Sequence, residues 1–154
     1  MGYIFRNLET PIKQAISQKK SILLLGPRQV GKTTLLRRLE EAEFISLAPA
    51  KNRLRYERDP SLLSQEVEAS DKKLFVIDEI QKVPALLDEV QDLIDRNVAQ
   101  FILSGSSARK LRKTKANWLP GRVLAFHMDA LSLSEIPKEF QVLENLLDRK
   151  STRL

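Results

Sequence analysis

Between Ser21 and Leu36 the chain reads SILLLGPRQVGKTTLL, a continuous apolar run that stops at a glycine, a short loop, and then a leucine pair at the start of a helical pattern. An apolar run of this length, bounded by Gly26, reads as a strand buried on both faces. The helix after it places Leu35, Leu36 and Leu39 on one face through LLRRLEEAE, with charged residues on the other. A strand that must be covered on both sides, followed at once by an amphipathic helix, commits the chain to layered α/β architecture.

The loop between them, Gly26-Pro27-Arg28-Gln29-Val30-Gly31-Lys32-Thr33, fits G-x-x-x-x-G-K-[ST] in the strand-to-helix setting that the pattern requires. Glycines let backbone N–H groups wrap phosphates, and the helix N-terminus adds its dipole. Lys32 reaches the β- and γ-phosphates, while Thr33 offers a hydroxyl to Mg²⁺ and Thr34 completes the binding segment. The competing reading is a glycine turn with a chance lysine.

The strand-helix alternation continues. EFISLA reads as a second strand, and the charged stretch 49–70 carries a break or helix start at Asp59-Pro60. KKLFVIDEI is a third apolar run, ending in two carboxylates, and after Pro84 a helix aligns Leu86, Leu87, Val90, Leu93 and Ile94. QFILSGSS is another strand, and RVLAFHM follows the turn at Leu119-Pro120-Gly121. Upstream, Thr10 and Pro11 read as a helix cap and first helical position for Ile12, Ala15 and Ile16. Ser132 and Glu135 have capping-box spacing before a weak stripe of Phe140, Leu143, Leu146 and Leu147. The expected fold is a P-loop core with a mostly parallel sheet and helices on both faces. It divides into an N-terminal helical lead-in (1–20), the core (21–133) and a short C-terminal helix and tail (134–154).

Asp78 and Glu79 end an apolar strand, the placement that delivers acids to the C-terminal edge of a parallel sheet. Asp78 would hold Mg²⁺ opposite Thr33, and Glu79 would polarise the attacking water. A solvated turn is the alternative for such a pair. Ser104 would aim a hydroxyl at the γ-phosphate or its water, whereas Ser106 and Ser107 equally suit the cap of a following helix. Arg109 and Arg122 are candidate γ-phosphate sensors, in cis or across a subunit contact, against the alternative of ordinary exposed ion pairs. Arg28 is open in the same way.

The 154 residues carry 26 Lys and Arg against 20 Asp and Glu, a net charge of +6 that favours polyanions without choosing among them. Arg109, Lys110, Arg112, Lys113 and Lys115, with Trp118 nearby, could grip a nucleic-acid backbone and stack a base; a solvated charged face is the alternative. With no cysteine and one histidine, thiolate and His-rich metal sites are excluded, leaving oxygen ligands. No apolar run approaches the ~18 residues of a membrane span, so no membrane partner is expected and the cytoplasm is the default compartment.

Taken together, GPRQVGKTTLL, IDEIQKVPALLDEVQ, FILSGSSARKL and the LPGR turn resemble the prokaryotic AAA-superfamily ATP-binding proteins in which this core precedes an uncharacterised C-terminal domain. The resemblance runs over about residues 3–133. It implies an additional-strand P-loop ATPase in which the strand carrying Ser104 separates the phosphate strand from the acid strand. It also implies phosphate and magnesium roles for Lys32 and Thr33, an acidic magnesium ligand at Asp78, water activation at Glu79 and a sensor at Ser104. Arg122 falls at the arginine of the family's LAGR-like segment, where Pro120 stands in for a small residue. The chain stops soon after LSLSEI and so resembles a truncated member, without the lid and C-terminal domain. The function expected is ATP binding with Mg²⁺-dependent hydrolysis. The alternatives are a nucleotide-controlled binding module or vestigial ATPase with negligible turnover, and a small-molecule kinase. A homo-oligomer or protein partner would be needed for any arginine acting in trans.

Overall fold

The computed structural model describes residues 3–106 and 119–136. Within them, helix α1 (Glu9–Ser17) leads into β1 (Ser21–Leu25) and α2 (Lys32–Leu36), then β2 (Glu43–Ser46). Helices α3 (Ala50–Arg58) and α4 (Leu62–Ala69) precede β3 (Leu74–Asp78). A single 3-10 turn over Ile80–Lys82, α5 (Leu86–Asp95), β4 (Gln100–Gly105) and β5 (Val123–His127) complete the order. The five strands form one parallel sheet in the order β2-β3-β4-β1-β5. β4 therefore lies between the phosphate strand β1 and the acid strand β3.

The apolar runs are continuous because alternate residues serve opposite faces. Leu23, Phe75, Ile77, Phe101 and Leu103 pack with Tyr56, Leu63, Val67 and the α5 stripe Leu86, Leu87, Val90 and Leu93. Ile22, Leu24, Leu74, Val76 and Ile102 instead pack with Ile12 and Ala15 of α1 and Leu35 and Leu36 of α2. The sheet thus has α3 to α5 on one face and α1 and α2 on the other. Each fully buried Leu, Ile or Phe contributes ~1.5–3 kcal/mol. The Phe75 and Phe101 rings stack across β3 and β4 with centroids 5.9 Å apart. β2 and β5 are the edge strands, and Leu124 on β5 is exposed.

Two helix boundaries differ from the sequence reading. α1 starts at Glu9, ahead of the expected Thr10 cap: a turn closed by the Glu9 N–H on the Arg6 carbonyl at 2.9 Å, with the Glu9 carboxylate accepting the Arg6 N–H at 3.1 Å, winds the chain before Thr10, and Leu8 at the N-cap position makes no side-chain cap bond. α2 ends at Leu36, where LLRRLEEAE predicts a longer helix. Three turns bonded Arg38 to Leu35, Leu39 to Leu36 and Ala42 to Leu39 carry the chain to β2. There Arg37 sits over the Phe44 ring and Arg38 over Tyr3. The charged stretch 49–70 folds as α3 and α4, separated near Asp59-Pro60. Ser132 and Glu135 form one half of the capping box: the Ser132 N–H donates to Glu135 Oε2 at 2.9 Å, but the Glu135 N–H donates to the Ser132 carbonyl at 3.0 Å and not to its hydroxyl. The stripe expected beyond it lies outside the described residues. Among the described residues no helix is long and apolar enough to cross a membrane.

Candidate nucleotide site

The site lies at the C-terminal edge of the sheet, where β1 gives way to the glycine loop and β3 to its two acids. Gly26 has φ +156°, and a Cβ there would lie 2.0 Å from the Met128 carbonyl oxygen, so only glycine fits beside the chain leaving β5. That chain is anchored by the Met128 N–H donating to the Leu25 carbonyl at 2.7 Å. Gln29 (φ 65°) and Gly31 (φ 98°) are left-handed, curling the loop before α2 begins at Lys32.

Lys32 is buried, and its Nζ donates to the carbonyls of Gly26 at 2.9 Å and Pro27 at 2.6 Å. Burial pushes its pKa below the usual lysine value, while the charges of Glu79 and Asp78 pull it back up. Thr33 Oγ1 donates to Asp78 Oδ2 at 3.0 Å, so the loop and the acid strand meet directly. The fully buried Ser104 donates to the other Asp78 oxygen and accepts the Glu79 backbone N–H at 3.4 Å. Its hydroxyl proton is thereby committed to the acid strand. Glu79 is itself left-handed, at φ 63° and ψ 41°, an uncommon conformation for a residue with a side chain.

Arg28, Gln29, Gly31, Lys32, Thr33, Thr34, Asp78 and Glu79 line one open cavity of about 590 Å³. Arg37 and Lys82 also line it, setting four cations against two carboxylates, a balance suited to a polyanion. Val30 points its carbonyl the other way, to Arg6 Nη1 at 2.6 Å.

Arg122 is not part of this assembly within the chain. It precedes Val123, which registers with Ser21 at the start of β1, whereas the loop begins beyond the Leu25–His127 pair. At ~3.3 Å per residue, the five positions from Arg122 to His127 put it about 16 Å from the loop. It pairs with Asp95 through two hydrogen bonds of 2.7 and 2.9 Å. A larger cavity of about 710 Å³ opens at that far edge, and of the predicted site residues only Arg122 lines it. Arg109 and the basic run 109–115 lie outside the described residues.

Sequence reasoning missed Arg6, whose solitary position in YIFRNL carries no motif signal. It is 6% exposed, donates to the Val30 carbonyl and, at 2.7 Å, to the Asp129 carbonyl. Its Nε lies 3.1 Å from Glu135 Oε1, an ion pair off the hydrogen-bond axis. Gln81 was also missed, although it stands within the quoted IDEIQ.

Residues 18–137 match the family described as an AAA domain. The chain belongs to that family. The AAA domain is 30% identical over 135 residues, 85% of the chain, to uncharacterized proteins of Mycobacterium bovis and Mycobacterium tuberculosis. It spans about 30% of the length of these curated relatives. Its fold is similar to Pif1 helicase from Candida albicans (TM-score 0.52, 11% identity, 94% of this chain and 44% of that one). A second likeness is to a structure of two coordinating Pif1 helicases unwinding forked dsDNA (TM-score 0.51, 16% identity, 93% and 48%). The protein is an ATP-binding domain of AAA type with a parallel P-loop sheet.

Proposed function

We propose that the AAA domain hydrolyses ATP with Mg²⁺, and that its phosphate loop, Asp78 and Glu79 perform the reaction. The observation that carries this reading is the Asp78 carboxylate held between Thr33 of the loop and Ser104 of β4. The donor set fits the group: a hydroxyl and a carboxylate are hard oxygen ligands, suited to an ion that takes its remaining ligands from phosphate and water. The Lys32 ammonium rests on carbonyls of its own loop, neutral partners that phosphate oxygens outbid in charge. Mg²⁺ would supply neutralisation of charge developing on the phosphates. Glu79 would take the proton of a water attacking the γ-phosphate, and Ser104 would fix the orientation of Asp78.

Calorimetric binding of MgATP and release of phosphate test this together. Lys32→Ala should lose ~100-fold or more in affinity, whereas Glu79→Gln should bind MgATP and turn over ~10²- to 10⁴-fold more slowly. Folded protein that fails to bind MgATP, or a Glu79→Gln variant that releases phosphate at the wild-type rate, contradicts the assignment.

For the basic residues Arg109 to Lys115 we propose a nucleic-acid backbone as partner, supported by their charge and by the DNA unwinding ascribed to the Pif1 structures. Affinity for single-stranded DNA should fall steeply with salt, and should drop when Lys110, Arg112 and Lys113 are neutralised.

A further inference from the structure

The 3-10 turn after Glu79 brings back a side chain that the proposed chemistry does not use. Gln81 Nε2 donates to Glu79 Oε2 and, at 3.1 Å, to Ser106 Oγ, while its own Oε1 is buried without a hydrogen-bond partner among the described residues. The amide orientation follows from the partners: an ionised carboxylate only accepts, so the NH₂ group must face Glu79. The amide oxygen is left without a partner among the described residues as a result. Ser106 directly follows β4, whose Gly105 registers with Leu25 at the mouth of the phosphate loop. Gln81 therefore ties the end of the acid strand to the end of the strand that separates it from the loop. Beside it, Glu79 holds an uncommon left-handed backbone, and its carboxylate, acting on the Lys32 charge, has Gln81 as its one hydrogen-bond donor among the described residues.

We infer that Gln81 is a positioning residue for Glu79, fixing where the carboxylate stands relative to the γ-phosphate through a bridge to Ser106. The inference rests on the hydrolytic reading of Glu79. A carboxylate on a strained residue has several rotamers, and a base displaced by about 1 Å loses on the order of 100-fold in rate. Binding of the nucleotide, carried by the loop and Lys32, does not pass through Gln81.

Steady-state phosphate release, MgATP calorimetry and thermal melting on the full chain test it, with wild type and Glu79→Gln measured alongside. Gln81→Met keeps the length without the amide, and should lower kcat on the order of 100-fold while KM, MgATP affinity and melting temperature stay near wild type. Gln81→Glu, equal in shape but without the donor, should behave likewise and serves if the methionine variant does not fold. Ser106→Ala should lower kcat by itself and add little to Gln81→Met, because the two sides of one bridge are coupled. A Gln81 variant with wild-type kcat, or one whose loss appears in MgATP affinity or melting temperature, overturns the positioning role. Equal phosphate release by wild type and Glu79→Gln removes the hydrolytic reading itself, and the inference with it.

Discussion

The two edges of the sheet use the same kinds of side chain to opposite ends. At the far edge, Arg122 and Asp95 satisfy each other through two hydrogen bonds in the open, and Arg96 shares Glu68 and Asp92 in the same manner. At the near edge, Lys32 is buried on neutral carbonyls, although two carboxylates lie close enough to influence its proton. Closed exposed pairs have nothing left to offer a ligand and add little stability. A buried cation on exchangeable partners is poised to trade them. Charge alone does not mark a functional arginine or lysine; the quality of its present partners does.

The strongest way to break this contrast is to fill the near edge. Gly26→Ala places a methyl against the Met128 carbonyl, a backbone atom that has no flexible end to yield. It should abolish MgATP binding or folding, read by calorimetry and circular dichroism. Arg6→Ala comes next, leaving two carbonyls and the Glu135 carboxylate without their buried partner. A loss of ~3 kcal/mol is expected, lowering the melting temperature by roughly 6 to 12 °C.

Acid should act on the same group. Burial pushes the Glu135 carboxyl up, but the N–H groups of Ser132 and Asn7 and the Arg6 guanidinium outweigh it and hold the pKa at about 2. The folded value is depressed, so this stabilisation is present above the ordinary value near 4.5 and is lost as pH falls toward 2. Glu135→Gln should flatten the melting temperature over that interval. The smallest effect sharpens the contrast from the other side: Arg122→Ala should leave MgATP affinity unchanged and move the melting temperature only slightly. A large loss of affinity there would dissolve the distinction between the edges.

What could be read from the chain beforehand follows the range of the forces involved. β1, β3 and β4 were legible because strands covered on both faces need unbroken apolar runs, and the glycine loop because its spacing is a local requirement. The helix in LLRRLEEAE was overestimated, since its amphipathic pattern persists past the point where Arg37 and Arg38 turn toward aromatic rings in other segments. Asp78 and Glu79 were legible as strand-end acids, yet the commitment of Ser104 to Asp78 depends on the register between β3 and β4. Arg6 was invisible because its partners lie 24 and 123 residues away. The distance of Arg122 from the loop of its own chain was not legible, because a motif gives its neighbours in sequence and not the end of the strand on which it falls.

Arg6 also gives the loop a mechanical dimension. One guanidinium grips the carbonyl of Val30 in the phosphate loop and that of Asp129 beyond β5, while the backbone N–H of the same residue donates to the Glu9 carboxylate at the start of α1. The opening residues are therefore a handle: a pull on them reaches the backbone that would cradle phosphate through one side chain, with no intervening helix to absorb the load.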